Sequence, residues 1–434
     1  MKKIIFFGLG GVTRVMAQCF YELFKNSSED INFVFICRDV AKSQKSLSKM
    51  EHILKISTFV EIKDFSKAAE DIEKYKENFA GAIGVINTSA PGFNNDILKF
   101  SSILGTNYCD LSSDMYNDKT RKSFNFAQNE YDTDFKNKSI FALVNAGISP
   151  GITNFLIGEK IIQSDKNNKS DIKSINLYLL ENIVSSQIIF SWSPRDSFSE
   201  LEENPNWFEN NKPVSVEPFT NTTWYKFPHF NEDIEQYPIS QEEVLSLHKS
   251  YPQIPTIRAY SGGSEIELAK NLFQLNLLSK SSPVCKESGM SIEEIVTGAL
   301  PGLKNPEELG KLLRDGVVKY AQFAAVAEIT KENIVEITGL SFGHFLDLLD
   351  SPYESATYIT YPAGIGGAIM FFYTYKMWEK DNKNINGGVY GEQLPIKMGM
   401  EMSSTVKFEL VKYGIDIISH SHSINFCKGG CHYK

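Results

Sequence analysis

Gly8, Gly10 and Gly11 follow directly on the apolar run Ile4-Ile5-Phe6-Phe7, and Val12 to Phe20 continue with apolar residues at helical spacing. Strand, glycine turn and helix in that order can hold the pyrophosphate of a dinucleotide. Gly8 permits a tight turn, Gly10 lets backbone N–H groups approach phosphate, and the helix start offers the positive end of its dipole. The third fingerprint position carries Thr13 in place of Gly or Ala, which weakens the match to Gly8, Gly10, Gly11, Val12 and Thr13 as a coenzyme turn. An ordinary strand-to-helix turn is the competing reading.

Three further places could complete such a site. Arg38-Asp39 ends the second apolar run, where a dinucleotide fold reads the adenosine ribose. An acid there would bind a 2′-hydroxyl and an arginine a 2′-phosphate; with Arg38 first and Lys42 and Lys45 following, NADP is expected over NAD. A solvated loop pair is the alternative. Thr88 and Ser89 end the fourth run and could seat a nicotinamide, and Asp110 ends the fifth and would point into the same crevice, unless it is a turn or cap residue.

The elements that must position these residues read as a doubly wound α/β sheet over residues 1–146. Expected strands are residues 4–7, 31–37, 56–62, 82–87, 108–111 and 140–145, with helices near 12–20, 40–54, 65–78, 94–104 and 117–131. From Gly147 the texture changes to a Pro- and Gly-rich bridge. Strands at 172–181, 187–192 and 256–260 and helices at 241–248, 265–278, 291–299, 305–313 and 341–349 then suggest an α+β domain with an open sheet, spanning 147–351. The stretch 352–420 is expected to return and pack on the first domain.

At 434 residues the chain is long for one domain. A net charge of −9 and a pI near 5.5 argue against nucleic acid or an anionic membrane as a main partner. Six scattered cysteines suit reduced thiols and a cytoplasmic home. Met1-Lys2-Lys3 ahead of an apolar run could open a signal peptide, but the run breaks at Gly8 and Arg14 falls where cleavage should occur, so the strand reading is preferred. The tail holds His420, His422, Cys427 and Cys431, but the two cysteines lack a second matching pair and no metal site is expected.

Taken together these segments resemble the saccharopine dehydrogenase family, most closely its glutamate-forming, saccharopine-reductase-like branch. The likeness runs through GLGGVT at 8–13, ICR at 36–38, NYCDLSSD at 107–114, GISPGITNFL at 147–156, FSWSPRD at 190–196, PTIRAYSGG at 255–263, YPAGIGGAIMF at 361–371 and GGVYGEQLP at 387–395. The chain departs from the family where Tyr178-Leu179-Leu180-Glu181 replaces a Gly-Gly-Leu-Pro stretch, and where Asp196 follows Arg195 in place of Gly.

The resemblance implies reversible hydride transfer at a carbon–nitrogen bond of an amino acid or polyamine derivative, with a nicotinamide carrying the hard step. It implies that Arg195 holds a substrate carboxylate bidentately, with Arg258 second, and that Pro150 and Asn154 of the bridge border the substrate. Asp110 would manage the imine or amine proton. A small-molecule substrate and a homodimer are expected. The alternatives are a carboxynorspermidine- or lysine-dehydrogenase-like enzyme, a reductase of carbon–carbon double bonds, and a nucleotide-binding regulatory protein that has lost the chemistry.

Overall fold

Apolar runs such as Lys2–Phe7 and Ile31–Cys37 are buried on both faces, as parallel strands require. The computed structural model describes residues 2–112, 124–166, 172–189, 204–228, 230–278, 289–299, 306–354, 356–380, 386–391 and 394–423. The first sheet contains β1 (Lys2–Phe7), β2 (Ile31–Cys37), β3 (Ser57–Glu61), β4 (Ala82–Asn87), β5 (Asn107–Asp110) and β6 (Phe141–Leu143). A seventh strand, Gly388–Tyr390, comes from the far end of the chain and pairs in parallel with β6. The order from that strand inward is β6-β5-β4-β1-β2-β3, all parallel, and reverses direction between β1 and β4. Helix α1 (Gly11–Asn26) leaves the β1 turn, and α5 (Asn94–Leu104) connects β4 to β5.

Several helices differ from expectation. The stretch 40–54 divides into Val40–Ser46 and Glu51–Lys55, because Leu47 and Met50 turn inward to the core between them. The stretch 65–78 is a 3₁₀ segment, Phe65–Asp71, and a single turn, Lys76–Phe79. Phe65, Ala68 and Ile72 are drawn into the core there, and packing overrides helix propensity. Residues 187–189 are not strand, and 190–192 lie outside the described residues.

The second sheet has nine strands. Its spine runs β10 (Thr223–Tyr225), β11 (Ile234–Pro238), β12 (Thr256–Gly262), β7 (Ser174–Ser185), β13 (Val318–Thr330), β14 (Ile334–Phe342) and a last strand, Asp416–Ser423, while β8 (Asn206–Glu209) and β9 (Lys212–Ser215) form a hairpin beside β12. The helix expected at 341–349 is instead the end of β14 and a 3₁₀ turn, Phe345–Leu348. One face of this sheet (Leu177, Leu179, Ala259, Ala325) shares a core with α1, α7 (Ile152–Lys166) and the long helix Thr360–Lys380; the other face forms a separate cluster around Tyr178, Trp207 and Tyr260. Among the described residues no helix is long and apolar enough to cross a membrane.

Helix Thr360–Lys380 returns to lie against α1, with Phe371 edge-on to Phe20 and Phe372 edge-on to Phe24. Gly364 allows that approach, since a Cβ there would come within 2.7 Å of the Val15 side chain and 3.1 Å of the Val12 carbonyl. Gly364→Ala is therefore expected to destabilise the protein by about 1–3 kcal/mol, seen as a lower midpoint of chemical unfolding. An unchanged midpoint would show that the two helices can part at no cost.

Candidate functional site

The departure at the third fingerprint position has a local cause. Thr13 is fully buried, and its Oγ1 accepts the Gly10 N–H at 3.0 Å. Thr88 donates its hydroxyl proton to the Phe7 carbonyl (3.0 Å), so Thr13 donates to Thr88 across 2.7 Å. Threonine at 13 thus clasps the glycine turn to the end of β4, and Thr88 belongs to that clasp and not to the cleft surface. Gly8 adopts φ +87°, open to glycine and strained for other residues. A Cβ on Gly10 would meet nothing within 4 Å. The first N–H groups of α1 have no partner within the helix, and Gly8, at the start of the turn before them, lines an opening.

That opening is a cleft of about 1300 Å³ outside the carboxyl ends of β1 to β4, at the point where the strand order reverses. Gly8, Arg38, Asp39 and Ser89 line it, so the structure brings together the turn, the end of β2 and the end of β4. Asp39 is already engaged: its carboxylate caps the next helix by accepting the Lys42 N–H at 2.9 Å. Arg38, Lys42 and Lys45, with Lys49 and Lys63, are the basic groups along that side of the cleft. The cleft has further walls that the sequence did not disclose. Arg14 is buried in the first turns of α1, Lys63 donates to the Arg38 carbonyl at 2.7 Å, and Ser351, Pro352 and Glu354 close the far side. Arg314 holds Glu354 in place at 2.8 Å.

Asp110 stands at the carboxyl end of β5, one strand beyond β4, with only 3% of its surface exposed. Its Oδ1 accepts the Asn145 N–H at 2.7 Å and its Oδ2 accepts the Tyr108 hydroxyl at 2.9 Å. Burial pushes its pKa up to about 7 despite both donors. A carboxyl poised near neutrality is what proton transfer in this range needs, but both its oxygens are occupied by the protein.

The remaining expected residues separate. Asn154 is buried on α7 and donates to the Ser246 hydroxyl at 3.2 Å. Pro150 follows a cis bond in the bridge, beside Ser149, which donates to the buried Glu243. Arg258 does not reach the cleft; it lies on the outer face of the second sheet, paired to Glu209 at 3.1 Å and set over Trp207. Alternation along β12 decides this, because Ile257 and Ala259 take the inner face. Arg195 lies outside the described residues.

With the cleft at the reversal point and the second sheet packed beside it, likeness to solved structures becomes informative. The chain is similar to apo saccharopine dehydrogenase (L-Glu forming) from Saccharomyces cerevisiae, with a TM-score of 0.62 over 98% of this chain and 100% of that one, at 15% identity. The fold is shared from end to end. Looser likenesses include a myo-inositol dehydrogenase from Corynebacterium glutamicum (TM-score 0.39, 11% identity, 98% and 99% covered) and GenD2 from gentamicin A biosynthesis, solved with NAD (TM-score 0.40, 8% identity, 98% and 96% covered). No protein-family model matches the chain, and no curated protein matches it.

Proposed function

We propose that the protein is a nicotinamide-dependent oxidoreductase of the saccharopine dehydrogenase type, transferring hydride reversibly at the carbon–nitrogen bond of an amino acid or amine. The observation that carries the reading is the open glycine turn at the head of a 1300 Å³ cleft at the strand-reversal point. When bound, the coenzyme would supply the hydride. The Gly8–Thr13 turn would hold its pyrophosphate, the β2 rim its adenosine, and Ser89 would border its nicotinamide half. Asp110, near neutrality, would take the amine proton by way of the Tyr108 hydroxyl, which passes its own proton to Oδ2 as it receives one, and would return it by the same route. The expected test result is coenzyme oxidation when an amine or amino acid is mixed with a 2-oxo acid or aldehyde, across a panel of such pairs. No turnover with any pair, despite coenzyme binding, would remove the enzymatic part.

Arg38, Lys42 and Lys45 on the rim, with one Asp39 oxygen taken up in capping, support NADP over NAD. Charge-assisted hydrogen bonds contribute about 1.5–3 kcal/mol, so Arg38→Ala is expected to weaken NADPH roughly 10- to 100-fold and leave NADH nearly unchanged. Equal losses for both coenzymes in fluorescence titrations would count against a 2′-phosphate contact.

A second reading, a nucleotide-binding regulatory protein, is favoured by one observation: both oxygens of Asp110 are satisfied inside the protein. It predicts tight coenzyme binding with no turnover.

A further inference from the structure

A row of side-chain amides, buried at Asn87, connects the cleft to the loop after β5. Ser89, at the cleft, donates both its backbone N–H (3.0 Å) and its hydroxyl (2.6 Å) to Asn87 Oδ1. Asn87 Nδ2 donates to Asn94 Oδ1 at 2.6 Å, and Asn94 Nδ2 donates to the Ser112 carbonyl at 2.7 Å. The two ends leave no freedom in how the amides point, because a backbone N–H can only donate and a carbonyl can only accept. Asn87 is 2% exposed and ends β4, whereas Asn94 begins α5. Ser89 in turn abuts the glycine turn, since a Cβ on Gly8 would lie 3.4 Å from the Ser89 nitrogen.

We infer that Asn87 is a positioning residue for the nicotinamide half of the coenzyme. Resting on the coenzyme reading above, it fixes Ser89 directly and, through Asn94, the β5 loop at Ser112, so the two loops bordering that half are held as one unit. The adenine half lies over the β2 rim, outside the reach of this row. The row keeps its geometry because breaking it at Asn87, its buried member, strands a desolvated polar group.

The experiment compares two ligands on the full chain: NADPH or NADH, whichever binds more tightly, and ADP, which carries the adenine half alone. Asn87→Ala is expected to weaken the dinucleotide tenfold or more while ADP affinity stays within about twofold. Asn94→Asp keeps an acceptor for Asn87 but sets a carboxylate against the Ser112 carbonyl. It is expected to show the same selective loss to a smaller degree, and it provides the reading should Asn87→Ala fail to fold. Equal loss for both ligands, or no loss for either, would overturn the inference. Wild-type protein that binds neither ligand would instead remove the coenzyme site itself, and the inference with it.

Discussion

Gly10→Asp is expected to abolish coenzyme binding, by at least a hundredfold, while leaving the fold as stable as before. The two halves of this expectation have separate causes. Gly10 precedes the first turn of α1 with φ −104°, which any residue can adopt, and a Cβ there meets nothing within 4 Å. Aspartate is a preferred residue at that position, because its carboxylate accepts N–H groups of the first helical turn. Those are the amides that would otherwise receive pyrophosphate, and the new charge would also repel it. A hundredfold loss corresponds to about 3 kcal/mol. Titration of NADPH fluorescence alongside thermal unfolding reads both quantities on one sample. Retained binding would mean that phosphates do not rest on the Gly8–Thr13 turn, and the coenzyme reading would fall with it.

The parts of this fold that sequence disclosed are those whose burial is written locally. Lys2–Phe7, Ile31–Cys37 and Ala82–Asn87 are near-continuous apolar runs between turn residues, the mark of parallel strands covered on both faces. Val318–Thr330 and Ile334–Phe342 escaped, although they sit centrally in the second sheet. Val318–Thr330 carries Ala321, Ala324, Ala325 and Ala327, which have little strand propensity of their own; pairing with β7 on one side and β14 on the other makes it a strand. Gly388–Tyr390 is three residues long and exists as a strand only because β6 offers an edge.

The site divides along the same line. Gly8, Arg38 and Ser89 lie at strand ends that could be located in sequence, and all of them line the cleft. Glu354, more than 250 residues further along, also lines the cleft; the expected return of 352–420 brought its stretch to the first domain, but nothing around it marked it as a wall of the cleft. Arg258 shows the converse: its motif was legible, but which face of β12 it took was settled by burial of Ile257 and Ala259.

Asp110→Asn is expected to stabilise the protein at alkaline pH and at the same time to remove most turnover. Burial raises the carboxyl from 3.8 to about 7 in the folded protein. Between those values the folded state holds a proton that the unfolded state releases, so stability falls as pH rises from about 4 to about 7. Below that window the carboxyl is protonated in both states and costs nothing; above it the full penalty applies, up to about 4 kcal/mol at 1.36 kcal/mol per pKa unit. An amide cannot ionise and escapes the penalty. Its Oδ1 still accepts from Asn145, and its NH₂ donates to Tyr108, whose hydroxyl proton can turn to the Asn94 carbonyl 3.4 Å away. Urea unfolding at about pH 4 and about pH 8 should show the variant's advantage over the wild type small at the lower value and near its full size at the higher. If Asp110 handles the substrate proton, turnover should fall by about 10²–10⁴, and the limb of the pH–rate profile near neutrality should disappear. Greater stability with turnover intact would leave Asp110 as a brace between β5 and β6 and move the proton chemistry to another residue. A wild-type stability that does not fall across that window relative to the variant would show that the carboxyl ionises freely, and the buried-acid account would be wrong.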